Sequence, residues 1–393
     1  MDMTEVIIAG IGQTEVGEHW EISLRSLTLK AIQAAIQDAA GLKPQILIVG
    51  NMLAANLSRQ AHLGALLADF SGMTGIEASA VEAGGASGGA AIRQGYLAVA
   101  SGLVDVALVV GVEKFTDVVG PGVESALTTL ADSDFEASQG VTPASQAALL
   151  MQRYIHEFEV PVDGLAGFAI NAHANAVANP YAMYRKAISA DAYRKAETIS
   201  EPVNMLDMAP NADGAAALIL TRRELLLPNY PHPLVRIASS SSAADTIAIH
   251  DRMDPLWFSA AQISVVQALR KAGLTREQID FFEYHDAFTI FAALALEAAG
   301  YAKRGEGWKL GTGDIIGLKG SIPCATLGGL KARGYPGGAT GVYQAVEATI
   351  QLRGQAGVNQ VSGAQLGMVQ SLGGPASVAV THILQRLEAE DKT

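Results

Sequence analysis

Val81-Glu82-Ala83-Gly84-Gly85-Ala86-Ser87-Gly88-Gly89 is a glycine-rich turn that opens directly onto a helix-forming run, Ala90-Ala91-Ile92-Arg93-Gln94-Gly95-Tyr96. Glycines at a helix start let backbone N–H groups approach a neighbour closely and aim the positive end of the helix dipole at an anion or a developing oxyanion. Upstream of this turn, the apolar runs at 6–10 and 46–50 predict buried strands. Between them, residues 22–40 predict an amphipathic helix with Leu24, Leu27, Ala31 and Ile36 facing inward and Gly41 as its stop. A helix over 60–70, a strand at 79–82, the helix 87–100 and a strand at 105–112 complete the first run. Strands alternating with helices predict a mostly parallel α/β sheet.

The rhythm breaks between about 114 and 230, where longer helical patterns and loops such as Asn179-Pro180-Tyr181 suggest an inserted lid. Alternation resumes at Leu234 with a strand to Ser239, a helix over 257–272, a strand over 281–285 and a helix over 288–299. A loop through 321–334 leads into a helix over 338–352 and strands at 366–371 and 377–383. Pro336-Gly337-Gly338-Ala339 opens its helix much as Ser87-Gly88-Gly89-Ala90 opens the earlier one. Chance recurrence in a glycine-rich chain is the simpler explanation of so short a match, but the matching strand order favours an internal duplication. The expected division is 1–233, carrying the lid, and 234–393.

The chain has 393 residues, 49% of them hydrophobic, enough for well-buried cores. A formal charge of −12 leaves no basic stripe for nucleic acid, so an anionic ligand has to be held locally. A single cysteine, Cys324, excludes an intrachain disulfide and a cysteine-rich metal site. His19, His62 and His156 lack metal-ligand spacing, so no metal is expected. Residues 1–12 lack the basic flank of a signal peptide, and no apolar segment reaches the roughly 20 residues of a membrane span. A cytoplasmic location is the resulting expectation.

The opening stretch, with Ala98-Val99-Ala100-Ser101-Gly102 and Val109-Val110-Gly111-Val112-Glu113-Lys114, resembles the nucleophile segment of thiolases, particularly the sterol-carrier-protein and archaeal types. Further matches are His173 with Asn179-Pro180-Tyr181-Ala182, then Asp213-Gly214-Ala215-Ala216-Ala217, His285-Asp286-Ala287-Phe288, and Gly328-Gly329-Leu330. They cover nearly the whole chain in the family's order. The resemblance implies an αβαβα layered fold of two duplicated halves with a lid insertion. It also implies a homodimer, and an acyl-CoA bound as substrate with no covalent cofactor. In working thiolases a cysteine at the helix start takes the acyl group and a histidine in a Gly-His-Pro motif activates it.

The departures fall at those two positions. Gly85 stands where the cysteine belongs, and glycine cannot be acylated, so the covalent thiolase route is excluded there. Tyr335, in Gly334-Tyr335-Pro336, stands where the base histidine belongs. A phenol, with a reference pKa near 10, is a poor base at neutral pH but a good proton donor. His285 remains, as expected support for an enolate oxyanion, and Gly85 and Gly373 would supply backbone support. Asp286 is expected to be structural and Tyr284 to pack. Ser239 to Ser242 resemble a pantetheine-contacting loop, and a serine run is equally an ordinary turn. Asn171, His173 and Asn175 read as a polar lid surface, with His173 a weaker candidate for CoA contact, and Glu82 and Glu113 as buried structural carboxylates.

What remains suits chemistry without an acyl-enzyme: retro-aldol cleavage of a β-hydroxyacyl-CoA, in which an oxyanion hole holds the thioester enolate. The chain resembles the thiolase-like aldolases of bacterial steroid side-chain breakdown, which also lack the cysteine and carry a tyrosine at the position of Tyr335. It departs from them at His285, where they tend to carry tyrosine. Such aldolases work with a small OB-fold, zinc-ribbon partner. Two other readings are a non-catalytic acyl-CoA or lipid-binding subunit of a complex, and an acyltransferase, either using Cys324 or passing the acyl group directly.

Overall fold

A computed structural model describes residues 5–388; the first four residues of the stretch tested for a signal peptide lie outside it. Nine strands form one sheet: β1 (Val6–Gln13), β2 (Ile46–Gly50), β3 (Glu77–Val81), β4 (Val106–Glu113), β5 (Gly214–Arg222), β6 (Val235–Ala244), β7 (Phe281–Glu283), β8 (Leu366–Gly373) and β9 (Val378–Arg386). The main helices are α1 (Leu24–Asp38), α2 (Leu63–Phe70), α3 (Ser87–Ala100), α4 (Pro143–Phe158), α5 (Ala166–Ala176), α6 (Ser259–Ala272), α7 (Thr289–Ala298) and, after the short α8 (Gly329–Arg333), α9 (Thr340–Leu352).

The spatial order is β3-β2-β4-β5-β1-β6-β9-β8-β7. Read outward from the centre, each half repeats one pattern. β1 pairs antiparallel with β5, β5 antiparallel with β4, and β4 parallel with β2. In the second half β6, β9, β8 and β7 follow with the same three orientations. This is the duplication that the two helix starts suggested. The sheet is mixed rather than mostly parallel, because the last strand of each half returns antiparallel between its neighbours.

Strand alternation sets the layers. In β5, Ala215, Ala217 and Ile219 pack under α1 and α2, whereas Ala216, Leu218 and Leu220 face α3 and α9. Val369 and Leu384 of the second half approach that same helical layer from the far side, while Met368, Leu372 and Ile383 face α6 and α7. The two halves of the sheet, joined through the Ile7–Arg236 pair, thus form separate layers, and the order runs helix, first half, helix, second half, helix. The central pair touches through glycine: a Cβ on Gly88 would lie 2.8 Å from the Gly338 carbonyl oxygen, and one on Gly341 only 2.3 Å from the Gly89 nitrogen.

Three expectations need correction. The lid was expected to run to about 230, yet Gly214–Arg222 is a central strand, buried on both faces except at Arg222. Full burial removes the polar alternation that would have marked it. The serines were expected in a loop, but Ser239 to Ser242 continue β6. The Ser239 hydroxyl donates to the Ala268 carbonyl and that of Ser241 to Gln267 Oε1, both on α6. Finally, the polar face of α5 is not a solvated surface. Asn171 and Asn175 are buried, and their amides donate to the carbonyls of Cys324 and Ala325. Asn179, one turn further, donates to the Leu327 carbonyl. Asn171 and Asn175, four apart, share a face of α5, and with Asn179 just past its end they fasten the lid to the loop before α8.

Candidate functional site

The turn before α3 is shaped locally. Gly84 adopts φ +56°, a region that only glycine enters cheaply. The Ser87 hydroxyl donates to the Gly84 carbonyl at 2.6 Å and accepts from the Ala83 N–H at 2.9 Å. Gly85 is therefore held, buried, in a fixed bend at the head of α3.

The equivalent start in the second half is anchored by Glu113, at the end of β4. Its buried carboxylate accepts from the N–H groups of Met52, Leu53 and Gly338 and from the Asn51 amide. Just ahead of that anchor, Tyr335 is clamped by its backbone, its N–H bonded to the Pro210 carbonyl and its own carbonyl to the Ala212 N–H.

His285 reaches the same place from the end of β7. Gln344 of α9 donates to the carbonyls of Glu283 and Tyr284, fixing the strand just before the histidine. Asp286 turns away and accepts from the Leu330 N–H at 2.7 Å, capping α8. Tyr284 packs edge-on against Phe168 and Phe282.

The three positions converge. A Cβ on Gly85 would lie 2.5 Å from the Tyr335 hydroxyl, 2.7 Å from the Leu372 carbonyl oxygen and 3.0 Å from His285 Cε1. The space that a nucleophile's first carbon would need is thus bordered by a phenol and an imidazole. The two rings meet edge to face at 5.6 Å between centroids. Burial, with the neighbouring Glu113 charge, raises the Tyr335 pKa above its ordinary value. Burial, helped by the Arg333 charge, lowers that of His285 to about 3. At neutral pH the pair is an un-ionised phenol and a neutral imidazole, two hydrogen-bond donors with no net charge.

Both line a cavity of about 270 Å³ whose other walls are mostly apolar, including Leu127, Leu130, Phe288 and Phe291. Thr142 and Gln146 of the lid close one side. One polar lining residue, Asn211, was not singled out in the sequence, where it stands just ahead of the Asp213-Gly214 motif. Its signal is its place two residues before Asp213, a buried carboxylate that accepts from the N–H groups of His19, Phe115 and Thr116.

The other candidates lie elsewhere. Gly373 packs on the turn, its missing Cβ lying 2.5 Å from the Ala83 carbonyl oxygen. Ser239 and Ser240 are buried in β6 and do not line this cavity; the Ser240 carbonyl and hydroxyl accept from Arg93. His173 is buried on α5, stacked on Tyr184 at 6.1 Å, and lines a separate pocket with Lys331. Cys324 is buried, donates to the Ile322 carbonyl and does not line the cavity, and burial pushes its thiol pKa up. Glu82 is exposed, contrary to the buried role expected of it. No group of residues suited to holding a metal occurs among the described residues.

Comparison with known proteins agrees with this architecture. Residues 6–224 match the thiolase N-terminal domain and residues 241–386 the thiolase C-terminal domain-like family. An acetyl-CoA acetyltransferase of Methanothermobacter thermautotrophicus is 39% identical, over 98% of this chain and 100% of its own. A 17-hydroxy-3-oxo-4-pregnene-20-carboxyl-CoA lyase of Mycobacterium tuberculosis is 27% identical, over 92% of this chain and 94% of its own. Among solved structures, the Ltp2-ChsH2(DUF35) aldolase aligns with a TM-score of 0.82 and 25% identity, covering 97% of this chain and 98% of that one. With two domain matches that together span nearly its whole length, the chain belongs to the thiolase family.

Proposed function

We propose that this thiolase-like, CoA-thioester-binding protein is a carbon–carbon lyase that cleaves a β-hydroxyacyl-CoA by a retro-aldol reaction, without an acyl-enzyme. The observation that carries this reading is the Tyr335 hydroxyl, 2.5 Å from where the Cβ of a residue at 85 would stand. In the proposed step the Cα–Cβ bond breaks and its electron pair passes into the thioester as an enolate, while the β-carbon leaves as a ketone or aldehyde. Tyr335 gives its proton to Cα and takes the β-hydroxyl proton in exchange, so the phenol ends as it began. Neutral His285 donates to the enolate oxygen, a role in which a depressed pKa helps, because the imidazole stays a hydrogen-bond donor without adding a buried charge. A steroid side chain is the acyl group suggested by the lyase relative, and a small OB-fold, zinc-ribbon protein is the partner suggested by the DUF35 component named with the aldolase structure.

The test is to incubate the purified protein, alone and with such a partner, with branched or polycyclic β-hydroxyacyl-CoAs. The expected result is a released ketone or aldehyde plus the shortened acyl-CoA. Retained CoA binding with no product from any of them would replace this reading with that of a non-catalytic binding subunit. The 39% identical relative named as an acetyltransferase supports a second reading, acyl transfer. Gly85 rules out the covalent version at that position, and the burial of Cys324 argues against a relocated one. Mass spectrometry after acetyl-CoA treatment checks this, with Cys324 expected to stay unlabelled.

A further inference from the structure

Residues 208–212 run between the two catalytic candidates as a strap. Met208 pairs with Phe288, and the Ala209 N–H donates to the Ala287 carbonyl, two residues past His285. At the other end Asn211 pairs in parallel with Tyr335, held by the two backbone hydrogen bonds that flank it. Paired residues on adjacent extended segments project their side chains to the same face. Asn211 and Tyr335 accordingly line the same cavity.

The carboxamide of Asn211 is part-buried and has no hydrogen-bond partner among the described residues. Of the other polar lining residues, Thr142 caps α4 and the Gln146 amide donates to Glu136, while Glu124 and Ser200 stand on segments that do not pair with Tyr335 as Asn211 does. The segment carrying Asn211 is held on both sides of it by the hydrogen bonds of Pro210 and Ala212 to Tyr335, and it runs on into the buried Asp213. An uncommitted carboxamide lining the same cavity as Tyr335, able both to donate and to accept, suits a ligand with a hydroxyl that both donates and accepts.

We propose that Asn211 is a specificity-determining residue that binds the β-oxygen of the acyl chain and selects β-oxygenated acyl-CoAs over those with a plain methylene there. The inference rests on the lyase reading for its choice of ligand, but its test is a binding measurement that needs no turnover. A carboxamide facing a methylene loses the hydrogen bond, and a single neutral hydrogen bond corresponds to about tenfold in affinity.

The experiment is calorimetric titration of the full-length protein with a β-hydroxyacyl-CoA and with its deoxy counterpart of the same chain. Tyr335→Phe is the background, so that the ligand is not consumed. The expected result is a preference of about tenfold for the hydroxylated ligand. Asn211→Leu and Asn211→Ser, each checked for an unchanged melting temperature, should differ: the leucine variant loses the preference while binding the deoxy ligand at least as well, and the serine variant keeps part of it. A preference that survives in Asn211→Leu, or that is missing before Asn211 is changed, overturns the proposal. Selective binding that depends on Asn211 in a protein that cleaves neither ligand would sink the lyase reading and leave this one standing.

Discussion

A hydroxyl retained in an apolar cavity without a structural partner asks for a reason. Among the described residues the hydroxyl of Tyr335 has one hydrogen-bond contact, the Met52 sulfur at 4.0 Å, too weak to repay its desolvation. Tyr335→Phe should therefore leave the melting temperature unchanged or slightly higher. Positioned proton transfer contributes about 100-fold or more to rate, so cleavage should fall by at least that much. Turnover near the wild-type rate in this variant would remove Tyr335 from the reaction. Gly85, Tyr335 and His285 could be named from the sequence because each sits in a motif with its own spacing. Asn211 was missed, since its one signal, a place two residues before the motif residue Asp213, says nothing of its neighbours until the fold pairs it with Tyr335.

The helices α3 and α9 touch where each begins, and the contact distance is set by glycine. Replacing Gly341 with alanine would add a helix-favouring residue, worth up to about 1 kcal/mol. The new methyl would stand 2.3 Å from the Gly89 nitrogen and 2.6 Å from Ser371 Oγ, and a backbone atom cannot swing aside as a side chain can. Gly341→Ala should destabilise the protein by a net of about 1–3 kcal/mol in denaturant unfolding. Gly313→Ala, with nothing within 4 Å of its added carbon, serves as the control and should be neutral or slightly stabilising. A harmless Gly341→Ala would mean that the two helices do not meet so closely. Helix α3 was legible to the residue because its glycine turn and its end at Ser101-Gly102 are both local signals. Strands β5 and β6 were obscured by their environment: the first is buried on both faces, and the second hides polar hydroxyls by bonding them to α6.

At the scale of the whole molecule, buried ionisable groups couple stability to pH in opposing senses. His382, wholly buried on β9 and bonded to the Gly89 carbonyl, is held down at about pKa 4 by burial. Between pH 6.5 and 4 the unfolded chain takes up a proton there that the folded chain refuses, so this contribution is intact above 6.5 and is lost as pH falls. Glu113, raised to about 7 by burial, acts the other way: the folded state binds the extra proton, and its contribution is lost as pH rises from about 4.5 to 7. The total curve mixes these with other buried groups such as His285, and comparison with His382→Gln isolates the part due to that histidine. The variant should gain on wild type by about 1.5 kcal/mol as pH drops from 6.5 to 5, measured by denaturant unfolding at each pH. A pH-independent difference would show that the folded histidine titrates normally. One feature of the cavity also bears on covalent chemistry. Cysteine restored at 85 would press its Cβ on the Tyr335 hydroxyl and on the Leu372 carbonyl, while histidine restored at 335 alone would have no thiol to activate. On the proposed reading, covalent chemistry at this site would need both exchanges together, one in each repeat, and neither substitution alone would open that route.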